Sequence, residues 1–384
     1  MQEVLIDVTR LLHRFLKGRL PTGVDRVSLA YIGHFSSRAR AVVRWNGRSL
    51  LIPYLDSQQL FGELLHPGPH FRRTVMWIVF RAGCRVQLDT DRKGLFLFNT
   101  GHSGLEQSSY PKKLRKQGVK PLFMVHDLIP ITHPEYCRAG ESDVHVVRMD
   151  NVLQIASGII ANSRDTLDEL TRYARRTGQF MPPAVAARLA AATLPPPRPS
   201  RPMSSPYFLM LGTIEARKNH WLLLQIWRQL AAQFGRQTPK LVLVGQRGWE
   251  CENVVDLLER CVALKDCVIE LPDCSDVALS TYISHAQALL FPSFAEGYGM
   301  PLMEALSSGV PVIASDLPVF REIAGDIPDY LDPMDGLAWL SYIKNFSMPD
   351  SVMRKAQIAR MSAFVAPTWT THFQLVEEMM GQLA

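Results

Sequence analysis

Residues 288–306, ALLFPSFAEGYGMPLMEAL, contain the stretch that decides the fold. The apolar run Ala288–Phe291 predicts a buried strand, and Gly297 and Gly299 allow a loop whose backbone amides stay uncovered. Pro301 suits the first turn of a helix, and helical periodicity begins at Leu302. A strand, a glycine loop and a helix in this order indicate one unit of a doubly wound parallel sheet.

The same rhythm extends over both halves of the chain. Short apolar runs separated by helical patterns predict strands at 4–8, 41–45, 95–99, 121–126, 158–162, 207–212, 241–245, 268–271 and 310–314. A proline-rich stretch, Leu194–Pro202, interrupts them near the midpoint and cannot continue a helix or a central strand. We therefore expect an α/β protein with two doubly wound Rossmann-like domains that face each other across a cleft. The expected boundaries are 1–192, a linker at 193–206, 207–365, and a crossover helix at 366–384 that returns to the first domain.

Composition restricts the class of protein. The chain has 384 residues, of which 47% are hydrophobic and 20% charged, which excludes a disordered tail, a collagen-like fibre and a membrane bundle. No apolar run approaches the roughly 20 residues of a spanning helix. The first residues lack the pattern of a signal peptide, and the six cysteines include no CxxC pair. These features predict reduced thiols and a cytoplasmic location.

The net charge of +6 conceals an asymmetry between the halves. Residues 1–200 carry 28 Lys and Arg against 16 Asp and Glu, whereas residues 201–384 carry 14 against 20. The basic half indicates an anionic partner such as nucleic acid, a membrane surface or a phosphorylated substrate. An ordinary solvated basic lobe is the alternative.

Two carboxylates flank the decisive loop. Glu296 precedes Gly297, and Glu304 falls one turn into the predicted helix. Free amides at a helix start suit a diphosphate, and carboxylates beside them suit sugar hydroxyls. A glycine turn followed by two surface glutamates would give the same spacing.

A second candidate element follows the strand at 207–211. Arg217 and Lys218 stand just before the predicted helix Trp221–Phe234, where cations can neutralise a leaving diphosphate. An Arg-Lys pair at a solvated helix start is the alternative interpretation.

The N-terminal half offers polar residues at strand ends. His126 is the last residue of the strand at 121–126, and Asp127 follows it. A histidine in a cleft can donate a proton or orient a reacting group. A local hydrogen bond between the two residues is the simpler explanation. Thr22 and Gly23 precede the helix Val24–Phe35, which a plain capped helix start would also explain. The remaining acceptor-side candidates at strand ends are Asn99, His102 and Asn162.

These motifs together resemble the family 4 glycosyltransferases, enzymes of the GT-B fold. The resemblance lies in Phe291–Gly309, the following Val310–Asp316, the segment Gly212–His220, and the run HDL…HPEY at 126–136. The last run is similar to bacterial mannosyltransferase-like members that synthesise surface polysaccharides.

The resemblance implies a role for each matching residue. Glu296 would contact hydroxyls of the donor sugar, Glu304 the nucleotide ribose, and Lys218 the diphosphate. Thr213 stands where many members have arginine, and Arg217 is the candidate to supply that charge. His126 would reach the transferred sugar, with Asp127 as a secondary catalytic candidate. The backbone of the loop and helix start would hold the diphosphate; its residues are Gly297, Tyr298, Gly299, Met300, Pro301 and Leu302. Three further residues would lie near the nucleotide: Gly245, Leu271 and Pro272.

The implied reaction is retaining transfer of a sugar from a nucleotide-sugar to a hydroxyl of a glycan or lipid-linked glycan in polysaccharide, capsule or O-antigen synthesis. GDP-mannose is the preferred donor, and a deoxysugar of rhamnose or fucose type on dTDP, UDP or GDP is the alternative. No cofactor and no metal are expected, and Asp89-Thr90-Asp91 is interpreted as a chance DxD match. A nucleotide-sugar epimerase, a phosphorylase and a non-catalytic basic binding protein are the rival classes. RNP, zinc and helix-turn-helix patterns are missing, which argues against nucleic acid.

One segment invites a membrane interpretation. Phe71–Arg85 places aromatic and aliphatic residues between arginines, as in helices that lie in a bilayer interface. A buried helix whose arginines reach water is the alternative. Its position in the basic half favours peripheral contact with the cytoplasmic face of the inner membrane.

Overall fold

The computed structural model of the chain describes residues 3–19, 21–45, 48–84 and 92–384. Asp89-Thr90-Asp91 lies outside these residues. The chain separates into two compact units. Unit 1 comprises 1–128, 143–189 and 368–384, and unit 2 comprises 129–142 and 190–367.

Thirteen strands lie in the described part of the chain. They are β1 Val4–Asp7, β2 Ala39–Trp45, β3 Arg48–Leu51, β4 Phe96–Asn99, β5 Lys120–Val125, β6 Gly158–Ala161, β7 Ala184–Ala186, β8 Tyr207–Leu211, β9 Lys240–Val244, β10 Val268–Leu271, β11 Leu289–Phe291, β12 Val312–Ser315 and β13 Asp329–Leu331. Every strand expected from the sequence is present, with ends displaced by at most two residues.

Helices connect the strands. They are α1 Thr9–Leu16, α2 Gly23–Phe35, α3 Tyr54–Leu65, α4 Phe71–Gly83, α5 Tyr110–Gln117, α6 Ile129–Thr132, α7 Glu141–Ile155, α8 Arg164–Arg176, α9 His220–Phe234, α10 Glu252–Arg260, α11 Asp276–Ser284, α12 Met300–Ser307, α13 Pro318–Ala324, α14 Gly336–Ser347, α15 Val352–Met361 and α16 Trp369–Leu383. Within the described ranges, none of these helices combines the length and apolar character needed to cross a bilayer.

The sheet of unit 1 has the order β3-β2-β1-β4-β5-β6-β7. All neighbours are parallel except β2 and β3, which form an antiparallel pair. Ile6 in β1 lies opposite Ala41 in β2 and Phe98 in β4, so apolar side chains line up across the centre. The chain moves outward from β1 in one direction and then in the other, which confirms a doubly wound sheet.

The sheet of unit 2 repeats this pattern with the order β10-β9-β8-β11-β12-β13, all parallel. Its central strands β8 and β11 are apolar and buried along their whole length because helices cover both faces. Two fully buried tryptophans anchor those helices: Trp227 Nε1 donates to Pro239 O at 2.8 Å, and Trp339 Nε1 to Asp332 O at 2.9 Å. The expected class, two Rossmann-like parallel-sheet domains, is therefore confirmed at the level of each unit.

The units follow the expected domains closely, with one addition. Residues 129–142 group with unit 2 although they lie between strands of unit 1 in the sequence. Helix α16 groups with unit 1, where Tyr31 Oη lies 2.9 Å from His372 Nε2 and Lys120 Nζ donates to Leu383 O at 2.8 Å. The domain boundaries expected from the sequence stay a prediction about independently folding parts.

In both units the chain reverses its direction of growth beside the first strand. In unit 1 this point lies between β1 and β4, and in unit 2 between β8 and β11. Parallel sheets bind ligands at the carboxyl ends of the strands at such a point. The loops after these strands are therefore where a site should form.

Candidate active site

In unit 2 the loops after β8 and β11 come together at this switch point. Phe294 N donates to Arg217 O at 2.8 Å, which ties the second loop to the first. The loop after β9 packs closely against the β8 loop at Gly245, where φ is +153°. A Cβ at Gly245 would stand 2.0 Å from Gly212 O, so only glycine fits there.

A compact cluster of charges lies between the two loops. Glu296 accepts hydrogen bonds from Lys218 Nζ and, at 2.7 Å, from Ser293 Oγ. Arg217 Nη1 lies 2.8 Å from the other oxygen of Glu296, and Arg217 Nε lies 2.7 Å from Glu215 Oε1. Two cations are thus matched by two carboxylates. The sequence expectation that Arg217, Lys218 and Glu296 lie together is consistent with this geometry.

Because these side chains are buried, the pKa of each one depends on the charges of its neighbours. The side chains of Lys218 and Glu296 are 8% and 7% exposed. Burial alone would raise the pKa of Glu296, but the adjacent cations of Arg217 and Lys218 lower it to about 2. Burial and the Arg217 charge lower the pKa of Lys218, and Glu296 opposes that shift. Glu296 is therefore ionised at any physiological pH.

The segment Gly297–Leu302 leads into α12 as the sequence predicts. Gly299 has φ +122°, and a Cβ there would lie 2.8 Å from the ring of Phe320, so glycine is required. Met300 and Pro301 form the first turn of α12. The first amides of a helix have no carbonyl partner within the helix, and Pro301 carries no N–H. Glu304 follows within the helix and is 9% exposed. The roles of these residues toward a diphosphate and a ribose stay predictions.

The remaining donor-side candidates lie on neighbouring loops of unit 2. Gly245 N donates to Leu271 O at 3.1 Å, which holds the ends of β9 and β10 together, and the next residue, Pro272, is exposed. Thr213 is half-buried and its methyl group packs toward Gly248. Its side chain carries no charge, and Arg217 supplies the second cation of the cluster.

In unit 1 three histidines cluster at the carboxyl ends of the central strands. The rings of His102 and His126 have centroids 5.5 Å apart, and His145 lies 5.9 Å from His102. Each Nε2 faces a backbone carbonyl: His126 that of Thr100 at 2.7 Å, His102 that of Met124 at 2.7 Å, and His145 that of Asp127 at 3.2 Å. Because a carbonyl can only accept, each Nε2 carries the hydrogen.

The imidazoles of His102 and His126 are neutral at physiological pH. Burial lowers the pKa of His126, and burial together with the neighbouring His126 and His145 lowers the pKa of His102 well below its usual value. With the hydrogen on Nε2, Nδ1 of His126 is an acceptor. His126 therefore suits a contact with a hydroxyl that donates its proton.

The other acceptor-side candidates hold backbone in place. Asn162 Nδ2 donates to His126 O at 2.7 Å and so fixes the turn after β5. Asn99 Nδ2 lies within hydrogen-bonding distance of Ser103 O and Tyr110 Oη. Thr22 caps α2 through Asp25, and Gly23 is the first residue of that helix. A role for these side chains in binding an acceptor stays a prediction.

Sequence reasoning missed several neighbours of these groups. Glu215 and Ser293 complete the charge cluster, although nothing in their local sequence marks them. Within unit 2, Tyr136 stacks on Phe294 with ring centroids 5.4 Å apart and planes at 7°, and Arg138 lies over the ring of Trp249. The aromatic and basic residues of HPEYCR were the available signal. Their partners lie more than a hundred residues away, so local pattern could not identify them.

Comparison with known proteins supports the resemblance. Residues 196–327 match the family model described as glycosyl transferases group 1. The chain is 28% identical over 345 residues to the serotype-specific mannosyltransferase WbdA of Escherichia coli, covering 84% of this chain and 40% of that protein. It is 43% identical over 104 residues to the O-antigen chain mannosyltransferase RfbU of Salmonella typhimurium, covering 27% and 28%. The chain thus spans about two fifths of WbdA.

The fold has solved counterparts. The crystal structure of Anabaena Alr3699/HepE in complex with UDP-glucose aligns over the whole of both chains with a TM-score of 0.70 at 15% identity. That likeness concerns the fold alone and agrees with the GT-B architecture expected from the sequence. The segment that matches the family model, residues 196–327, contains both Lys218 and Glu296.

Proposed function

We propose that the chain is a retaining glycosyltransferase that moves mannose from GDP-mannose to a hydroxyl of a glycan or lipid-linked glycan. The proposed setting is the synthesis of O-antigen or a related polysaccharide at the cytoplasmic side of the membrane. The observation that carries the proposal is the buried cluster of Arg217, Lys218 and Glu296 in unit 2.

The cluster suits the chemistry of the leaving group. Departure of a nucleoside diphosphate develops negative charge, and two cations fixed beside a helix start stabilise such charge in a site that excludes water. Without donor, Glu296 and Glu215 neutralise those cations. This ionic pairing lets the protein keep Lys218 buried and Arg217 half-buried. In the proposed complex, the diphosphate takes up part of that charge and the ionised Glu296 accepts hydrogen bonds from sugar hydroxyls.

The neutral histidine of unit 1 fits the same reaction. Nδ1 of His126 is an acceptor, so this side chain would bind a hydroxyl of the transferred sugar without adding a charge. Asp127 follows it directly and is the secondary candidate for contact with the acceptor. No nucleophile pair is needed if attack occurs on the face that the leaving group vacates, which is how retention is proposed to arise. The proposed reaction needs no metal ion.

The choice of mannose rests on relatives. One matching relative is named a serotype-specific mannosyltransferase and another an O-antigen chain mannosyltransferase. The fold neighbour in complex with UDP-glucose concerns a different nucleotide. A deoxysugar donor on dTDP, UDP or GDP therefore remains the second candidate.

A nucleotide panel tests the donor. We expect GDP to raise the thermal midpoint of the purified chain more than UDP, dTDP or ADP at equal concentration, because the tightest-binding nucleotide stabilises the folded chain most. A ligand at 100 times its Kd adds about 2.7 kcal/mol to the free energy of unfolding. Glu296→Ala should retain part of the GDP shift, since its partner is the sugar, but lose the extra shift given by GDP-mannose. A larger shift with another nucleotide would show that the donor carries that nucleotide and is not GDP-mannose. The proposed reaction class, a glycosyltransferase, would be unaffected.

Product analysis tests the reaction class. With donor and a mannose-terminated acceptor, a transferase yields an extended glycan and free nucleoside diphosphate. Conversion of the donor to an isomer without acceptor would indicate an epimerase, and sugar phosphate formed from glycan and phosphate would indicate a phosphorylase. Full transfer activity in both Glu296→Ala and Lys218→Ala would show that the site is elsewhere.

A further inference from the structure

Helix α4 of unit 1 is apolar on two sides. It buries Phe71, Val75, Ile78, Val79 and Ala82 in its own unit. The solvent side nevertheless carries Met76, Trp77 and Phe80, which are 40%, 57% and 62% exposed. A surface helix ordinarily shows polar residues opposite its buried stripe. The outer side of α4 therefore has the composition of a surface that another phase or molecule covers.

The exposed residues form an ordered patch. Positions four apart stack along a helix, so Arg72, Met76 and Phe80 make one row and Arg73, Trp77 and Arg81 the next. The rings of Trp77 and Phe80 stack with centroids 5.9 Å apart and planes at 22°. We call these six residues the α4 patch. It has an aromatic centre with arginines toward both ends.

The charged residues of the α4 patch are all arginines, and within the described residues acidic side chains pair with only some of them. Arg81 lies 3.1 Å from Asp56 of α3. Across the described residues, no ion pair reaches Arg72 or Arg73. Helix α4 itself contains no acidic residue, and residues 1–200 have twelve more cations than carboxylates. Contact between two copies through this patch would bring arginines together without acidic partners. Charge complementarity therefore favours an anionic occupant.

We propose that the α4 patch binds the surface of an anionic lipid bilayer. Met76, Trp77 and Phe80 would enter the interfacial layer, and Arg72 and Arg73 would reach lipid phosphates. Tryptophan is favoured at this depth because its ring is amphipathic. The contact uses residues of unit 1 alone and does not depend on which sugar the donor cluster of unit 2 accepts.

Sedimentation with vesicles tests the proposal. The full chain should bind vesicles of phosphatidylcholine with one quarter phosphatidylglycerol and bind pure phosphatidylcholine weakly, with the difference reduced at high salt. Replacing both Trp77→Ser and Phe80→Ser should lower the partition coefficient at least about tenfold, because two aromatic rings no longer leave water. Replacing Arg72→Gln and Arg73→Gln should lower only binding to the anionic vesicles, by about fivefold for each arginine.

Phe180→Ser is the matched control. Phe180 is 80% exposed and precedes β7, at the edge of the unit 1 sheet opposite β3, which α4 contacts. This variant should bind vesicles as the wild type does, and all variants should keep the nucleotide-induced thermal shift. Absence of wild-type binding to anionic vesicles, or equal loss in Phe180→Ser, would overturn the proposal. A dimer in ultracentrifugation that Trp77→Ser with Phe80→Ser dissociates, without vesicle binding, would assign the patch to a second copy.

Discussion

The two units bury different polar clusters near their switch points. Unit 1 also buries paired carboxylates, since Asp7 at the end of β1 lies 3.3 Å from Arg44 and Asp25 lies 2.7 Å from Arg14, but its histidine cluster has no counterpart in the charge cluster of unit 2. Unit 2 buries full charges, and Glu296 remains ionised because Arg217 and Lys218 face it. Unit 1 buries His102 and His126 as neutral rings whose Nε2 hydrogens face carbonyl oxygens. Loops at the carboxyl ends of strands can thus carry compensated charge or neutral acceptors.

Under the proposed function, the two clusters would have different roles. Compensated charges can be redistributed when a charged ligand enters, whereas neutral rings bind hydroxyls without a change in charge. The difference between them also predicts different responses to substitution and to pH, because removal of one charge leaves its partner unpaired.

The largest expected effect is on the rate of transfer. Lys218→Ala removes one of two fixed cations next to the developing diphosphate charge, and kcat should fall by about 10²–10³. The measurement is steady-state release of nucleoside diphosphate in the presence of acceptor. Lys355→Ala is the matched control, because Lys355 pairs with Asp350 at 3.0 Å on the exposed surface of the same unit. An unchanged rate in Lys218→Ala would contradict the electrostatic role of the cluster.

The second expected effect is on stability. Glu296→Ala leaves Lys218 buried without its carboxylate, and the free energy of unfolding should fall by about 3 kcal/mol in urea denaturation without ligand. Asp350→Ala breaks an ion pair that is almost fully exposed and should give no measurable change. Equal midpoints for Glu296→Ala and the wild type would show that the cluster is held by backbone packing instead.

The third effect is on the pH dependence of stability, to which the buried His102 and His126 of unit 1 and His220 of unit 2 contribute through their lowered pKa values. The pKa values of His102 and His126 are lowered in the folded chain, so their contribution to stability is complete above the unfolded value of 6.5 and is lost as pH falls below it. Each such histidine adds a slope of at most about 1.4 kcal/mol per pH unit. The contribution of Glu296 is complete above 4.5 and is lost only as pH falls toward about 2.

Denaturation between pH 7 and 5 measures this difference. His102→Asn should make the dependence shallower, and asparagine tolerates the positive φ of +57° at this position. Glu296→Gln should leave the slope over this range unchanged. A pH dependence between 7 and 5 that is the same in His102→Asn and in the wild type would contradict the assignment of a neutral, buried His102.

The smallest effect concerns Glu169, in α8 of unit 1. Burial, with the charges of Asp165 and Asp127, raises its pKa to about 7. The folded pKa lies above the unfolded value of 4.5, so ionisation of Glu169 destabilises the unit as pH rises between these values. After allowance for solvent screening, Glu169→Gln should stabilise the chain by about 1 kcal/mol at pH 8.

The gain from Glu169→Gln should largely disappear at pH 5, where the wild-type side chain is already protonated in the folded chain. Asp168→Asn is the control, since this neighbour on α8 is exposed. A gain that is equal at both pH values would indicate a helix-propensity effect and not titration.

Much of the fold could be predicted because parallel strands in a doubly wound sheet are recorded as short apolar runs. Both ends of β10 and the last residue of α2, Phe35, agree with the prediction to the residue. Strands β3, β7 and β13 escaped because they lie at or beside sheet edges, where partial exposure weakens the apolar pattern. The grouping of residues 129–142 with unit 2 escaped because it depends on the contacts of Tyr136 and Arg138 with distant rings.

For the site, the sequence by itself determined which residues follow each strand, since the order of apolar runs and glycine loops is a local property. It placed Lys218 and Glu296 after β8 and β11, and His126 after β5. Only the tertiary structure decided that Glu296 pairs with Arg217 and Lys218, that Glu215 joins them, and that His126 has its hydrogen on Nε2. The physical reason is that charge state and tautomer depend on burial and on partners brought together by folding, which no local pattern contains.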